Sequence, residues 1–476
     1  MMLDRVLVAA VIAALLSGCI TVGPDYQRPK VDTPDAWPGE KTAESVPMHW
    51  WRSYNDPVLD KMVEEALAHN TDFALAIARV DEARALLGIV RADQFPGITA
   101  GFGASRNRIS ERTGTFFPGI DTRYTDIKAT LNASWEIDFW GKYRRATEAA
   151  RADLLATESN RDAVRLALIA EMSRGYFNLR SLDAQVAITR QTVATRLEGL
   201  SLQRMRFEAG TASELELHQV EADAAAAQAL LPVLENQQAQ QETALSVLLG
   251  RSPREIVGIS PDRGAAIEAL TVPPAVPAGL PSDLLQRRPD LQQAEQQLVS
   301  ANARIGQAKA AYFPSISLTG LLGGESTTLA DLFTAPARIW QISASAAQLV
   351  FDAGRTSSNV KAAQARQRQA LALYQSAIQD AFKDTLDALV AQRKARERLD
   401  AEQIRVAALQ KALMLARLRY DNGVSSLLDV LDAERGLLTA QLDQVAAQRA
   451  QLDATADLFK ALGGGWEVGL QGRQAE

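Results

Sequence analysis

One side chain in this 476-residue chain is placed for covalent chemistry: the thiol of Cys19, its single cysteine. Cys19 follows Leu16-Ser17-Gly18 at the end of an apolar stretch, Val6 to Leu16, with Arg5 ahead of it. A positive start, an apolar segment too short to span a bilayer and small residues at its end are the parts of a secretion signal removed from the mature chain. Asp4 departs slightly from that pattern. With no second cysteine the thiol can form no internal disulfide. Other groupings lack the spacing of a reactive site. His49, His69 and His218 are far apart and show neither Glu-x-x-His nor His-x-x-x-His metal spacing. No phosphate-binding glycine loop or nucleophile elbow occurs. The carboxylates stand beside Lys and Arg in helical sequence, as on solvated helix faces. The chain reads as a non-enzyme that needs no cofactor or metal.

The elements around these residues come in two copies. Residues 204–221 (RMRFEAGTASELELHQVE) return as residues 417–434 (RLRYDNGVSSLLDVLDAE) without a gap. Arg206, Phe207, Gly210, Ser213, Leu215, Glu216 and Glu221 fall opposite Arg419, Tyr420, Gly423, Ser426, Leu428, Asp429 and Glu434. Each copy reads as a basic helix end, a glycine stop and a Ser-x-x-Glu/Asp box that starts the next helix. All prolines lie in residues 24–118 and 232–336, which leaves 119–231 and 337–476 free for helix. Helices are predicted from Lys142 to Arg206 and from Arg355 to Tyr420, each about 100 Å long at ~1.5 Å per residue. Shorter returning helices run about Ser213 to Leu249 and Ser426 to Leu462, with Pro232 expected to kink the first.

Four segments change to period two. In Ile127 to Asp138, Ile127, Ala129, Leu131, Ala133, Trp135 and Ile137 alternate with Lys128, Thr130, Asn132, Ser134, Glu136 and Asp138. Phe95 to Ser105, the stretch marked by Ile316, Leu318 and Leu322, and Trp340 to Ala347 follow suit. Each is near the ~9–11 residues of an outer-membrane barrel strand. Soluble hairpins would explain any one of them; four in two duplicated pairs favour a membrane barrel. Four strands cannot close a barrel alone, so copies of the chain must combine. A net charge of -6 and a pI near 5.5 leave no basic patch for nucleic acid.

Leu16-Ser17-Gly18-Cys19 resembles the bacterial lipobox, which implies diacylglycerol and an N-acyl chain on Cys19, with Ile20 directing the product to the outer membrane. Further motifs are Val22-Gly23-Pro24-Asp25-Tyr26, Trp51 with Asp56-Pro57-Val58-Leu59, and Ala76 to Ala85 (AIARVDEARA). Asp138-Phe139-Trp140-Gly141-Lys142, Leu285 to Asp290 (LQRRPD), Ala294-Glu295 and Phe313-Pro314-Ser315-Ile316 complete the series. In this order the chain closely resembles the TolC-like outer-membrane efflux proteins, in their acylated OprM/NodT branch.

The resemblance implies a mainly α fold with a transmembrane β part. Three protomers would close a twelve-stranded barrel above a helical periplasmic tunnel. It also implies a lipid-anchored exit duct in the outer membrane of a Gram-negative bacterium. Its partners would be a periplasmic adaptor (membrane fusion) protein and an inner-membrane transporter of the RND type, with drugs or other toxic small molecules as cargo. The expected divisions are 1–18 signal, 19–94 acylated segment and first helices, 95–138 first barrel hairpin, 139–249 first helical hairpin, 250–313 equatorial linker, 314–350 second barrel hairpin, 351–462 second helical hairpin and 463–476 tail.

Within that frame, Tyr420, Leu428, Asp432 and Arg435 match the family's resting constriction. Leu428 would form an apolar ring and Asp432 a carboxylate ring, with Arg435 one turn on holding Asp432 by a charge-assisted bond. Spacing alone favours a core Leu428 and a solvated Asp432–Arg435 pair. The tips, Arg206, Gly210, Ser213 and Arg419, Gly423, Ser426, look like adaptor-docking sites, although glycine commonly ends helices without such a role. A duct for protein secretion and a lipid-anchored coiled-coil protein without a pore are the rival readings.

Overall fold

The structure, a computed structural model, describes residues 21–34, 37, 47–112, 119, 121–272 and 281–464. In chain order it contains α1 (Pro57–His69), α2 (Thr71–Ala92), β1 (Gly97–Arg108), β2 (Arg123–Ile137), α3 (Lys142–Glu208), α4 (Glu214–Leu248) and α5 (Pro253–Gly258). There follow α6 (Leu284–Arg287), α7 (Pro289–Ala310), β3 (Ser315–Ser326), β4 (Arg338–Ala347), α8 (Arg355–Asp421) and α9 (Leu427–Ala461). The long helices repeat at equal length: α3 and α8 each have 67 residues, α4 and α9 each 35. Pro232 lies inside α4, which continues on both sides of it as one helix. Two compact units partition the chain. The first holds Met1–Lys30, Val80–Thr157 and Ala294–Tyr374, and the second holds the remainder.

The first unit is built on one antiparallel sheet in the order β1-β2-β3-β4. Directly paired residues share a face, and the register is continuous: Ile98 opposes Ala133, Ala100 opposes Leu131 and Phe102 opposes Ala129. Leu131 continues to Leu322 and on to Trp340, and Trp135 to Leu318 and on to Ala344. One face is therefore apolar across all four strands. Thr99, Asn132, Ser134, Thr319, Ser343 and Ser345 lie on the other. Ile98, Phe102, Leu322, Trp340 and Ile342 are all well exposed on the apolar side.

At the helix end of this sheet, residues 21–28 are strapped down. Val22 N–H donates to Trp140 O at 3.0 Å, and Asn302 Nδ2 donates to Pro24 O at 2.9 Å. Buried Arg145 contacts Asp25 at 2.6 Å and Glu148 at 2.7 Å. Gly23, at φ 108°, can have no side chain here, since a Cβ would lie 2.4 Å from Gly306 Cα. Trp140 stacks on Phe313 and donates its indole N–H to Pro314 O at 2.8 Å. The Val22–Tyr26, Asp138–Lys142 and Phe313–Ile316 motifs are thus parts of one joint.

The second unit is centred on aromatics. Trp50 and Tyr54, from a short 3-10 turn, are fully buried; Trp50 stacks on Phe459, and Tyr54 packs on Phe177 while donating to Leu452 O. Buried Asp56 caps α1 by accepting from Val58 N–H at 2.9 Å, and it also accepts from Tyr176 Oη and Ala265 N–H. Arg288 of the LQRRPD motif ties α7 to both α8 and α9: it pairs with Asp290 and Asp384 and donates to Ala381 O and Ala461 O.

Asp453 gives this unit a pH dependence. Burial pushes its carboxyl up to about 6, against the pull of Arg449 at 3.1 Å, and Asp457 adds to the rise while Arg174 opposes it. A raised carboxyl binds its proton more tightly in the folded state, so its contribution to stability falls as pH climbs from about 4 to about 6. Between pH 7 and pH 5 this one group should add about 1 kcal/mol of stability. Urea titrations at the two pH values check it: Asp453→Asn should shrink the wild-type difference by that amount, and an equal difference in both proteins would refute it.

Candidate functional site

The two hairpin tips have the same geometry. Helix α3 ends in a left-handed Gly210 (φ 71°), with Gly210 N–H donating to Phe207 O and Thr211 N–H to Arg206 O, both at 2.8 Å. At the second tip Gly423 has φ 70°, its N–H donates to Tyr420 O at 2.9 Å, and Val424 N–H donates to Arg419 O at 2.8 Å. Both are glycine caps that bond the last carbonyls of the helix. The return helices start alike. Ser213 N–H donates to Glu216 at 2.9 Å, and Ser426 N–H to Asp429 at 3.1 Å. A Cβ at Gly210 or Gly423 would meet nothing within 4 Å, so both turns are bare surfaces. Ser213, Arg419 and Ser426 are exposed and Arg206 half-buried.

Above the tips, a small apolar cluster joins the hairpins. Val220 of α4 is buried with Leu427, Val430 and Leu431 of α9, and Tyr420 packs against them from the end of α8. Leu428 lies off this cluster, 45% exposed, so within the protomer it is not a core residue. The sequence pattern places Asp432 and Arg435 together, and the structure brings them to 3.4 Å. Arg435 has a nearer partner, however, in Asp223 of α4 at 2.7 Å. The expected Asp432–Arg435 bond is therefore the weaker of two, because one helical turn leaves Asp432 pointing outward while Asp223 approaches from the adjacent helix.

Asp223 is the residue that local spacing misses. It is 2% exposed and also faces buried Arg196: Nε stands 2.9 Å from Oδ2, although the N–H does not point along the contact, and Nη1 donates to Asp223 O at 3.0 Å. A carboxylate between two guanidiniums thus links α3, α4 and α9. The sequence holds one signal for it. In the 213-residue repeat, Arg196 and Asp223 fall opposite Leu409 and Gly436, and a Cβ on Gly436 would sit 3.5 Å from Leu409 Cδ2. The same contact is ionic in one half and apolar in the other.

Cys19 lies outside the described residues, which begin at Thr21. Thr21 sits against Gly141, where a Cβ would come within 2.7 Å of its Cγ2, so the chain enters at the helix end of the sheet. Among the described residues no group of His, Cys, Asp and Glu could hold a metal, and no helix is long and apolar enough to cross a membrane.

The profile of the outer membrane efflux protein family matches residues 62–251 and 280–464. The probable efflux pump outer membrane protein TtgC of Pseudomonas putida is 34% identical, over all of this chain and 99% of its own. The probable outer membrane lipoprotein SilC of Salmonella typhimurium is 32% identical, over 95% of this chain and 97% of its own. Among solved structures, the outer membrane channel CmeC of Campylobacter jejuni superposes with a TM-score of 0.89 at 28% identity, covering 94% of this chain and 96% of that one.

Proposed function

The chain belongs to the outer membrane efflux protein family, and we propose that it is the exit duct of a tripartite pump. In this reading it passively conducts drugs or other toxic small molecules from an inner-membrane transporter of the RND type, through a periplasmic adaptor, to the exterior. The observation that carries the reading is the sheet of the first unit, apolar on one face, polar on the other, with β1 and β4 at its ends. In hydrocarbon an open edge would strand its N–H and C=O groups, so β4 of one copy must pair with β1 of the next. Three copies give a barrel of twelve strands with the polar face inward, a wet lumen. Helices α3 and α8, each about 100 Å of chain at ~1.5 Å per residue, supply the tunnel wall.

The strap at residues 21–28 supports acylation of Cys19, because it delivers the N-terminus to the inner end of the strands, where a lipid chain reaches the bilayer. The second tip supplies the resting closure. Symmetry copies of exposed Leu428 and Asp432 narrow the duct, and the Arg435–Asp223 link holds α9 in place.

Recordings from the purified, acylated protein in planar bilayers test this. Discrete channel openings are expected, and Asp432→Ala should raise resting conductance several-fold by removing three carboxylates and the weaker Arg435 contact. An intact oligomer that conducts nothing would overturn the duct and favour a lipid-anchored structural protein.

A further inference from the structure

We propose that the outer end of the barrel carries an arginine collar that binds the phosphates of outer-leaflet glycolipids. The inference rests on the duct reading for which end of the sheet faces outward, since the helices leave from the other end.

The collar follows from register. Along β1 the apolar face runs Ile98, Ala100, Phe102, Ala104 and then continues, two residues at a time, to Arg106 and Arg108. Along β2 the same face passes from Ile127 through Thr125 to Arg123, which pairs directly with Arg108. On β4, Arg338 stands two residues before Trp340 on that face and is the first residue of its strand. Three of the four outer strand ends therefore close the apolar face with an arginine. The inner end of the face carries Trp135, Ile137, Ile316 and Ala346, without a charge.

These arginines share a level in a tilted barrel. The line of partners through Gly97 runs Ser134, Thr319, Ser343 and leaves β4 to continue down to Ala347. The line through Arg338 runs Gly324, Ala129, Phe102 and leaves β1 to continue up to Arg108. Both ends of the sheet step in the same sense, which is the stagger of tilted barrel strands. From Ile127 to Ile137, β2 rises roughly 33 Å at about 3.3 Å per residue, or about 25 Å when tilted near 40°, the height of an outward-facing apolar band. The arginines begin where that band ends and head groups start.

Their charges are free for an outside partner. Arg106, Arg123 and Arg338 are exposed and have no carboxylate at ion-pair distance among the described residues, while Arg108 has only exposed Glu111 at 3.6 Å. On the wet face, by contrast, Lys128 is matched by Asp126 at 3.0 Å and Glu325 at 3.2 Å. A guanidinium fork suits phosphate, and a phosphorylated glycolipid offers phosphates at this depth while its acyl chains cover the band below.

The test places the full-length acylated protein in phosphatidylcholine nanodiscs with either bis-phosphorylated or dephosphorylated lipid A. Native mass spectrometry then reads the lipid A retained per oligomer. Wild type should retain the phosphorylated form. Arg106→Gln/Arg123→Gln/Arg338→Gln should bind it on the order of a hundredfold more weakly, at about fivefold for each of the three arginines, and the corresponding Lys variant should recover most of the loss. Equal retention by the Gln variant, equal binding of dephosphorylated lipid A, or full displacement by millimolar inorganic phosphate would each overturn the collar. Conductance of the same samples separates the failures: a conducting protein with unchanged retention refutes the collar alone, whereas an intact oligomer without conductance refutes the duct and the collar with it.

Discussion

Leucine at both Gly210 and Gly423 is expected to abolish drug efflux while the protein still reaches the outer membrane as an assembled oligomer. The physical case lies in what each glycine provides. Both take a left-handed backbone, and a β-carbon there costs roughly 1–2 kcal/mol per position. Helices as long as α3 and α8, held by tertiary packing, can absorb a strain of that size at their ends. Neither position has a neighbour within 4 Å of an added Cβ, so the protomer itself raises no steric objection to a side chain. What a bulky residue does change is the approach of another helical hairpin to the bare turn. Asn tolerates the left-handed region with a short side chain and serves as the strain control. Susceptibility to a pumped drug, with membrane levels of the protein measured in parallel, gives the readout. Full sensitivity for the Leu pair and near wild-type resistance for the Asn pair are expected, and efflux by the Leu pair would remove the tips as the docking site. A photo-crosslinking residue at Val424 should meanwhile capture a periplasmic adaptor.

Why the tips could be read from sequence and their interlock could not is a matter of locality. Strand alternation, helix length between proline-rich tracts and the glycine-serine turns are short-range patterns, and each reappears in the structure within a few residues. The strand at Ile127–Asp138 becomes Arg123–Ile137, and the helix at Arg355–Tyr420 becomes Arg355–Asp421. The Asp432–Arg435 pair, one turn apart, is also local, and it is present. Asp223, by contrast, meets Arg196 27 residues away and Arg435 212 residues away, across three helices. No periodicity encodes that meeting. Its trace is the mismatch between the two halves, Arg196 and Asp223 against Leu409 and Gly436, which is visible only once the repeat is aligned and each position is asked what it touches. The arginine collar is similarly hidden, since it requires the register between strands as well as the alternation within each.

Asp223→Ala should both weaken the second unit and open the resting duct. Removing one member of a buried ion pair leaves Arg196 uncompensated, which typically costs about 3–5 kcal/mol, and it takes away the nearer partner of Arg435. Instability and leak would then rise together, and either could be blamed for the other. The second half of the protein suggests how to separate them. Arg196→Leu/Asp223→Gly copies the apolar contact already present at Leu409 and Gly436, and exchanging a buried pair for packed apolar groups is often neutral or stabilising. The double variant should therefore unfold near the wild-type midpoint, yet still lack the carboxylate that holds Arg435. Its resting conductance, and entry of an antibiotic normally excluded by the outer membrane, should remain raised, and by more than in Asp432→Ala, because the 2.7 Å contact is lost rather than the 3.4 Å one. A double variant that is both stable and as tight as wild type would mean that Asp223 serves packing alone. The closure would then rest on the rings of Leu428 and Asp432.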